Sequence, residues 1–160
     1  MMEGTTMRIL ALALILALAP GLGTMLGAMA QTAGPPMGAT SDHQATLAAF
    51  GGPEGLARVA DRGIDRVLAD TRIAARFQGA NIPRLKQQLG VQFCALLGGP
   101  CQYTGQDMAA AHAGMHLRLA EFNALAEDFQ VAMDELDIPY RYQTRLIALL
   151  APMQRDITEK

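Results

Sequence analysis

Beyond the first 30 residues, apolar positions recur at helical spacing, and no stretch alternates apolar and polar as a half-buried strand would. Residues 44–50 predict a short opening helix, stopped by Gly51 and Gly52. Pro53 suits a first helical turn, and Leu56, Val59, Gly63, Val67 and Leu68 then share a face as far as Asp70. Residues 73–77 are too short for an independent helix, and Gly79 ends them. Pro83 opens a helix whose Leu85, Leu89, Phe93 and Leu96 form one continuous apolar face, terminated by Gly98-Gly99-Pro100. Residues 118–136 predict a long helix with Phe122, Leu125, Phe129, Met133 and Leu136 buried and acidic residues opposite. After Pro139, a last helix runs from Tyr140 to about Ile157, with Tyr142, Leu146, Leu149, Met153 and Ile157 as its stripe. Pro152 inside that stripe predicts a kink or an early end. The pattern is that of an all-α domain with about five or six helices.

The first residues read differently. Arg8 precedes an apolar run over residues 9–19, Pro20 and Gly21 break it, and Ala28-Met29-Ala30 offers a small-residue cleavage site. The pattern predicts a secretory signal peptide over residues 1–30, cut before Gln31, with export to the periplasm or beyond. A retained anchor would need about 20 uninterrupted apolar residues; Pro20, Gly21 and Gly23 interrupt this run, so no stable membrane insertion is expected after cleavage. Residues 31–43, small, polar and proline-containing, predict a flexible tether, and residues 44–160 the folded domain. The formal net charge is −2, and loss of Glu3 and Arg8 with the leader leaves it unchanged. Nothing basic enough to follow a phosphate backbone remains, which argues against a nucleic-acid partner.

Candidate chemistry concentrates in residues 98–115 (GGPCQYTGQDMAAAHAGM). His43 falls in the expected tether. His112 and His116 are four apart, but Gly114 stands between them and the nearby carboxylates supply no obvious zinc set. Taken alone, His112 on an alanine-rich helix reads more readily as a structural residue than as a ligand.

Its surroundings change that balance. FGGPEGLARV, RVLAD, FQGANIPRLK, LLGGP, YTGQDM, AHAGM and LLAPMQRDI follow one another in an order and spacing that resemble the group I truncated haemoglobins, from about Phe50 to Ile157. The resemblance implies a two-over-two helical globin fold enclosing a haem b. It places the iron's protein ligand on His112, and a ring packed against the porphyrin on Phe77. Met108, one turn before His112, is implied on the same haem face, and Lys86 is implied to reach a haem propionate. Leu85 and Leu89 fall on the opposite, gas-binding side. The implied ligands are O2, NO and CO, with a redox partner that the resemblance leaves unnamed.

On that gas-binding side the chain departs from the family. Many relatives carry a tyrosine and a glutamine where this sequence has Ile64 and Leu89, neither of which donates a hydrogen bond. Gln88 and Gln92 are alternative donors on the third helix. An apolar pocket disfavours long-lived oxygen and favours NO or CO. Turnover as an NO dioxygenase or pseudo-peroxidase would need an electron donor that the chain does not itself carry. The competing reading from another class is a haem-free helical interaction module on a globin scaffold. Cys94 and Cys101 bracket the Gly98-Gly99-Pro100 reversal, and in an oxidising compartment such a pair predicts a disulfide; two thiols are the alternative.

Overall fold

The computed structural model describes residues 37–158, so the expected signal peptide and the first part of the tether lie outside the described residues. Helix α1 spans Met37–Ala49, α2 Gly52–Ala69, α3 Ile82–Leu96, α4 Met108–His112, α5 Leu119–Glu135, α6 Tyr140–Leu150 and α7 Gln154–Ile157. Short 3-10 turns at Ala74–Phe77 and Ala151–Met153 complete the order. Among the described residues the only extended pairing is an isolated parallel bridge between Leu117 and Thr158. The all-α expectation holds, with more and shorter helical pieces than predicted. As Pro152 suggests, the last helix gives way to a 3-10 turn at Ala151–Met153 before α7.

Helix α2 is the centre of the packing, lying most extensively on α3 and next on α5. Its Leu56, Val59, Ile64 and Val67 are fully buried together with Phe50, Phe93, Leu97, Phe129, Met133 and Leu146. The rings of Phe93 and Phe129 meet edge to face with centroids 5.5 Å apart, joining α3 to α5. Gly63 makes this possible, because a Cβ there would stand 2.3 Å from Cε1 of Phe129. At the outer edge of the same contact, Arg62 and Arg66 of α2 both donate to Glu135 of α5, at 2.5 and 2.6 Å. The turn into α6 is pinned by Gln143, whose Nε2 donates to Asp134 Oδ1 at 2.7 Å and to the Ile138 carbonyl at 2.8 Å.

Several expectations are corrected. The opening helix begins at Met37 rather than Gln44, so residues 37–43 of the expected tether, His43 included, are helical. The Thr46 hydroxyl donates to the Asp42 carbonyl at 2.7 Å, and Arg145 of α6 pairs with Asp42 at 3.3 Å, giving these residues local and tertiary support. Leu68 lies at the edge of the α2 stripe and is exposed, while Leu97, just past α3, is fully buried. On α5, two of the acids expected on the solvent face, Glu121 and Asp128, are instead buried, at 8% and 6% exposure. Spacing alone places a carboxylate outside; Arg76, contributed by a distant segment, pairs with Glu121, while Asp128 is buried beside Asp70 with its Oδ2 unpartnered and its pKa raised, by burial first.

Cys94 and Cys101 form a disulfide with Cα atoms 5.7 Å apart. It ties the end of α3 to the segment that leads into α4. With a sequence separation of 7, the chain-entropy account gives about 2.5 kcal/mol. Reduction, or a Cys101→Ala substitution, is therefore expected to lower the stability measured by urea unfolding by about 2 kcal/mol. A midpoint unmoved by reductant would show that the bond is not stabilising this fold.

Candidate functional site

Helix α4 is only five residues long, too short to persist without help. Asp107 caps it, accepting from the Ala110 N–H at 2.7 Å, and α7 packs against it. Gly114, with φ of +73°, then turns the chain away, and His116 follows with φ of +50°. His112 and His116 therefore do not continue on one helical face, and an HxxxH ligand pair is not formed.

His112 ends α4 and is half-buried. Its Nδ1 lies 2.8 Å from the Met108 carbonyl, one turn back. A carbonyl only accepts, so Nδ1 donates, and in the neutral ring this leaves Nε2 with its lone pair free. That is the state an imidazole needs to bind a metal, with its ring orientation already set by the second nitrogen.

The imidazole stands in the wall of a cavity of about 530 Å³, within the usual ~300–1,000 Å³ of small-molecule and cofactor sites. Phe77, Leu85, Leu89, Met108 and His112 all line it, so five of the six residues implied to touch haem converge on one space. Ile64 of α2, Phe122 and Phe129 of α5, and Ile147 and Leu150 of α6 close the other sides. Lys86 is not among the lining residues. Its Nζ pairs with Asp61 at 2.7 Å and Asp65 at 2.6 Å, both on α2, and these two acids raise its pKa.

A few polar groups interrupt the apolar wall. Gln92 Nε2 faces the sulfurs of Met108 at 3.6 Å and Met153 at 3.9 Å, so its amide belongs to the α4 side of the cavity. Gln88 lines the cavity with a buried Oε1 that has no partner. Arg76 and Glu121, which the sequence reading does not single out, also line it. They are 45 positions apart, and their side chains meet at 2.8 Å between Nε and Oε1. Glu121 accepts again from the Arg118 backbone N–H at 2.8 Å. The Arg76 hydrogen bond first, and that backbone bond second, outweigh the cost of burial and hold the Glu121 carboxyl down at about 2.

The residues present suit a haem. The cavity is predominantly apolar, an imidazole oriented through its Nδ1 is held in its wall, and polar groups at its margin can meet a charged substituent. Among the described residues, no group of three or more His, Cys, Asp or Glu side chains is placed to hold a metal ion. A single histidine in an apolar wall suits a metal that brings its other ligands with it.

Residues 46–159 match the family described as bacterial-like globin. The chain belongs to that family. It is 33% identical over 108 residues to the group 1 truncated haemoglobin of Mycolicibacterium paratuberculosis, covering 68% of this chain and 79% of that relative. The Fe(III) form of truncated haemoglobin from Tetrahymena pyriformis superimposes with a TM-score of 0.69 at 25% identity, over 72% of this chain and 98% of that one. The 2/2 haemoglobin of Synechococcus sp. PCC 7002, at 21% identity and a TM-score of 0.66 over the same shares, shows the same fold. Within the bacterial-like globins the chain is thus a group 1 truncated haemoglobin with the two-over-two fold. The Phe77, Leu85, Leu89, Met108 and His112 cavity lies where its helices converge.

The lowered value of Glu121 gives this truncated haemoglobin a pH signature with a definite sign. A folded-state pKa of about 2, below the ordinary 4.5, means the carboxylate stabilises the fold above about pH 4.5 and ceases to do so as pH falls through about 2. Glu121→Gln is expected to lower the melting temperature at pH 7, the gap to wild type closing between those two pH values. A gap that stays constant across that range would show that the charge of Glu121 is not what stabilises.

Proposed function

We infer that this truncated haemoglobin is an exported protein that holds haem b through His112 and reversibly binds diatomic gases. The observation that carries the reading is the Nδ1 contact of His112 with the Met108 carbonyl, which leaves Nε2 free within the apolar cavity. Bound haem supplies an iron centre able to take O2, NO or CO at its open coordination position. The protein's part is to fix His112, pack Phe77 and Met108 against the macrocycle, and keep water from the pocket.

Gas preference follows from what Ile64 and Leu89 cannot do. A gas that accumulates negative charge on binding, as oxygen does, gains from a nearby N–H or O–H, and neither side chain has one. NO and CO depend less on such a donor, so the pocket favours them over lasting oxygen storage. The unpaired atom of Gln88 is its oxygen, an acceptor, which offers oxygen nothing in this orientation. Export rests on the leader pattern of residues 1–30 and is supported by the Cys94–Cys101 disulfide, a bond suited to an oxidising compartment.

Two measurements test this. Expressed with a haem supply, the wild type is expected to show a Soret band that shifts with added CO and NO. His112→Gly should abolish the ferrous band's five-coordinate character, and added imidazole should restore it. A wild type without a Soret band would leave the haem-free interaction module as the better reading. Leu89→Gln, by adding a donor, is expected to slow oxygen loss about ten- to a hundredfold, the range of a hydrogen bond to a charged group. Slow oxygen release in the wild type that is abolished by Gln88→Leu would instead identify Gln88 as the donor and overturn the apolar reading.

A further inference from the structure

Haem carries two carboxylates on an otherwise apolar ring, and a site that binds it tightly must meet at least one of them with positive charge. We propose that Arg76, rather than Lys86, is the side chain that anchors a haem carboxylate in this protein. The assignment rests on haem occupying the cavity described above.

Three observations carry it. The first is position: among the described residues lining the cavity, Arg76 is the only arginine or lysine. It precedes Phe77 on the turn before α3, and its side chain is 37% exposed. Its charge thus sits at the boundary between cavity and water, where the carboxylate of a buried apolar ring comes to rest.

The second is orientation. Nε donates to Glu121 and one terminal nitrogen donates to the Met115 carbonyl at 3.3 Å, fixing the guanidinium at two points. A guanidinium has five N–H donors, so the two bonds leave others for a carboxylate, in the geometry that favours paired contacts.

The third is charge balance. Glu121 is shared between Arg76 and Arg118, whose guanidinium lies 3.4 Å from Oε1, so two cations face one anion at this edge. Lys86 faces two anions, Asp61 and Asp65, and its surroundings carry a net negative charge. An incoming carboxylate is drawn to the first cluster and repelled by the second. The contacts that hold Lys86 also brace α3 against α2, which gives its charge a structural use.

The test measures transfer of haem from the ferric holoprotein to excess apomyoglobin. R76A is expected to accelerate loss at least about fivefold, with R76K intermediate, as removal of a charge-assisted contact at a partly exposed edge implies. Wild type reconstituted with haem dimethyl ester, which has no free carboxylate, should lose that ring about as fast as R76A loses ordinary haem. R76A should not accelerate loss of the ester further. Loss of ordinary haem from R76A at the wild-type rate would overturn the assignment. So would equal acceleration with haem and with ester, which would mark Arg76 as merely structural, or acceleration in K86A with none in R76A. If R76A does not fold, R76K and the wild-type comparison of the two haems decide the question. A wild type that binds neither ring would sink the haem reading itself and this assignment with it. That outcome is distinct from a wild type and an R76A that hold haem equally well.

Discussion

The whole arrangement depends on α2 lying close enough to α5 for the ring of Phe129 to reach Phe93 on α3. Gly63 is the condition for that approach, since any side chain there would occupy the space of the ring. The contact has two consequences. It seals the apolar core on one side, and on the other the two rings form part of the cavity wall. Ile64 and Phe129 belong to both, being buried in the core and lining the cavity. The fully buried Leu56, Val59, Val67, Met133 and Leu146 pack with them in one core.

The α4 side of the site is built on the opposite plan. Five residues of helix cannot hold a histidine in place by their own hydrogen bonds, so the restraints come from outside. Asp107 caps the first turn, the Cys94–Cys101 disulfide shortens the tether back to α3, and α7 packs alongside. The kink at Ala151–Met153 contributes here too, because it redirects the chain so that α7 can reach α4. A short helix restrained at its ends can shift as a unit, and it carries His112, Met108 and the Met108 carbonyl together.

The frame was legible because its signals are local, whereas His112 stood out only through the resemblance of the motifs around it to the truncated haemoglobins. Helical periodicity announces α2, α3, α5 and α6, glycine and proline mark their ends, and the disulfide follows from two cysteines on either side of a tight reversal. The edge of the cavity was not legible, because its chemistry is made by pairs far apart in the chain. Glu121 reads as an ordinary first-turn acid of a long helix, and Arg76 as a solvated charge beside an aromatic. Only the fold shows that they meet. Lys86 illustrates the reverse case. The family pattern points it at the cofactor, while in the structure Asp61 and Asp65, one helix away, engage it, pairings that a motif around Lys86 alone does not reveal.

The same contrast separates the two functions of polarity in this site. On the proposed gas-binding side, Ile64 and Leu89 line the cavity without a hydrogen-bond donor. At the outer edge, Arg76, Glu121 and Arg118 gather charge where the cavity opens to water. Charge at the edge acts on how long a cofactor stays, because it touches only the cofactor's substituents. Donors inside act on which gas stays, because they touch the ligand. A chain can therefore lose the interior donors and keep a firm hold on its haem, provided the edge is retained. Under the proposed function, tight cofactor binding and weak oxygen retention are compatible because different residues would govern them.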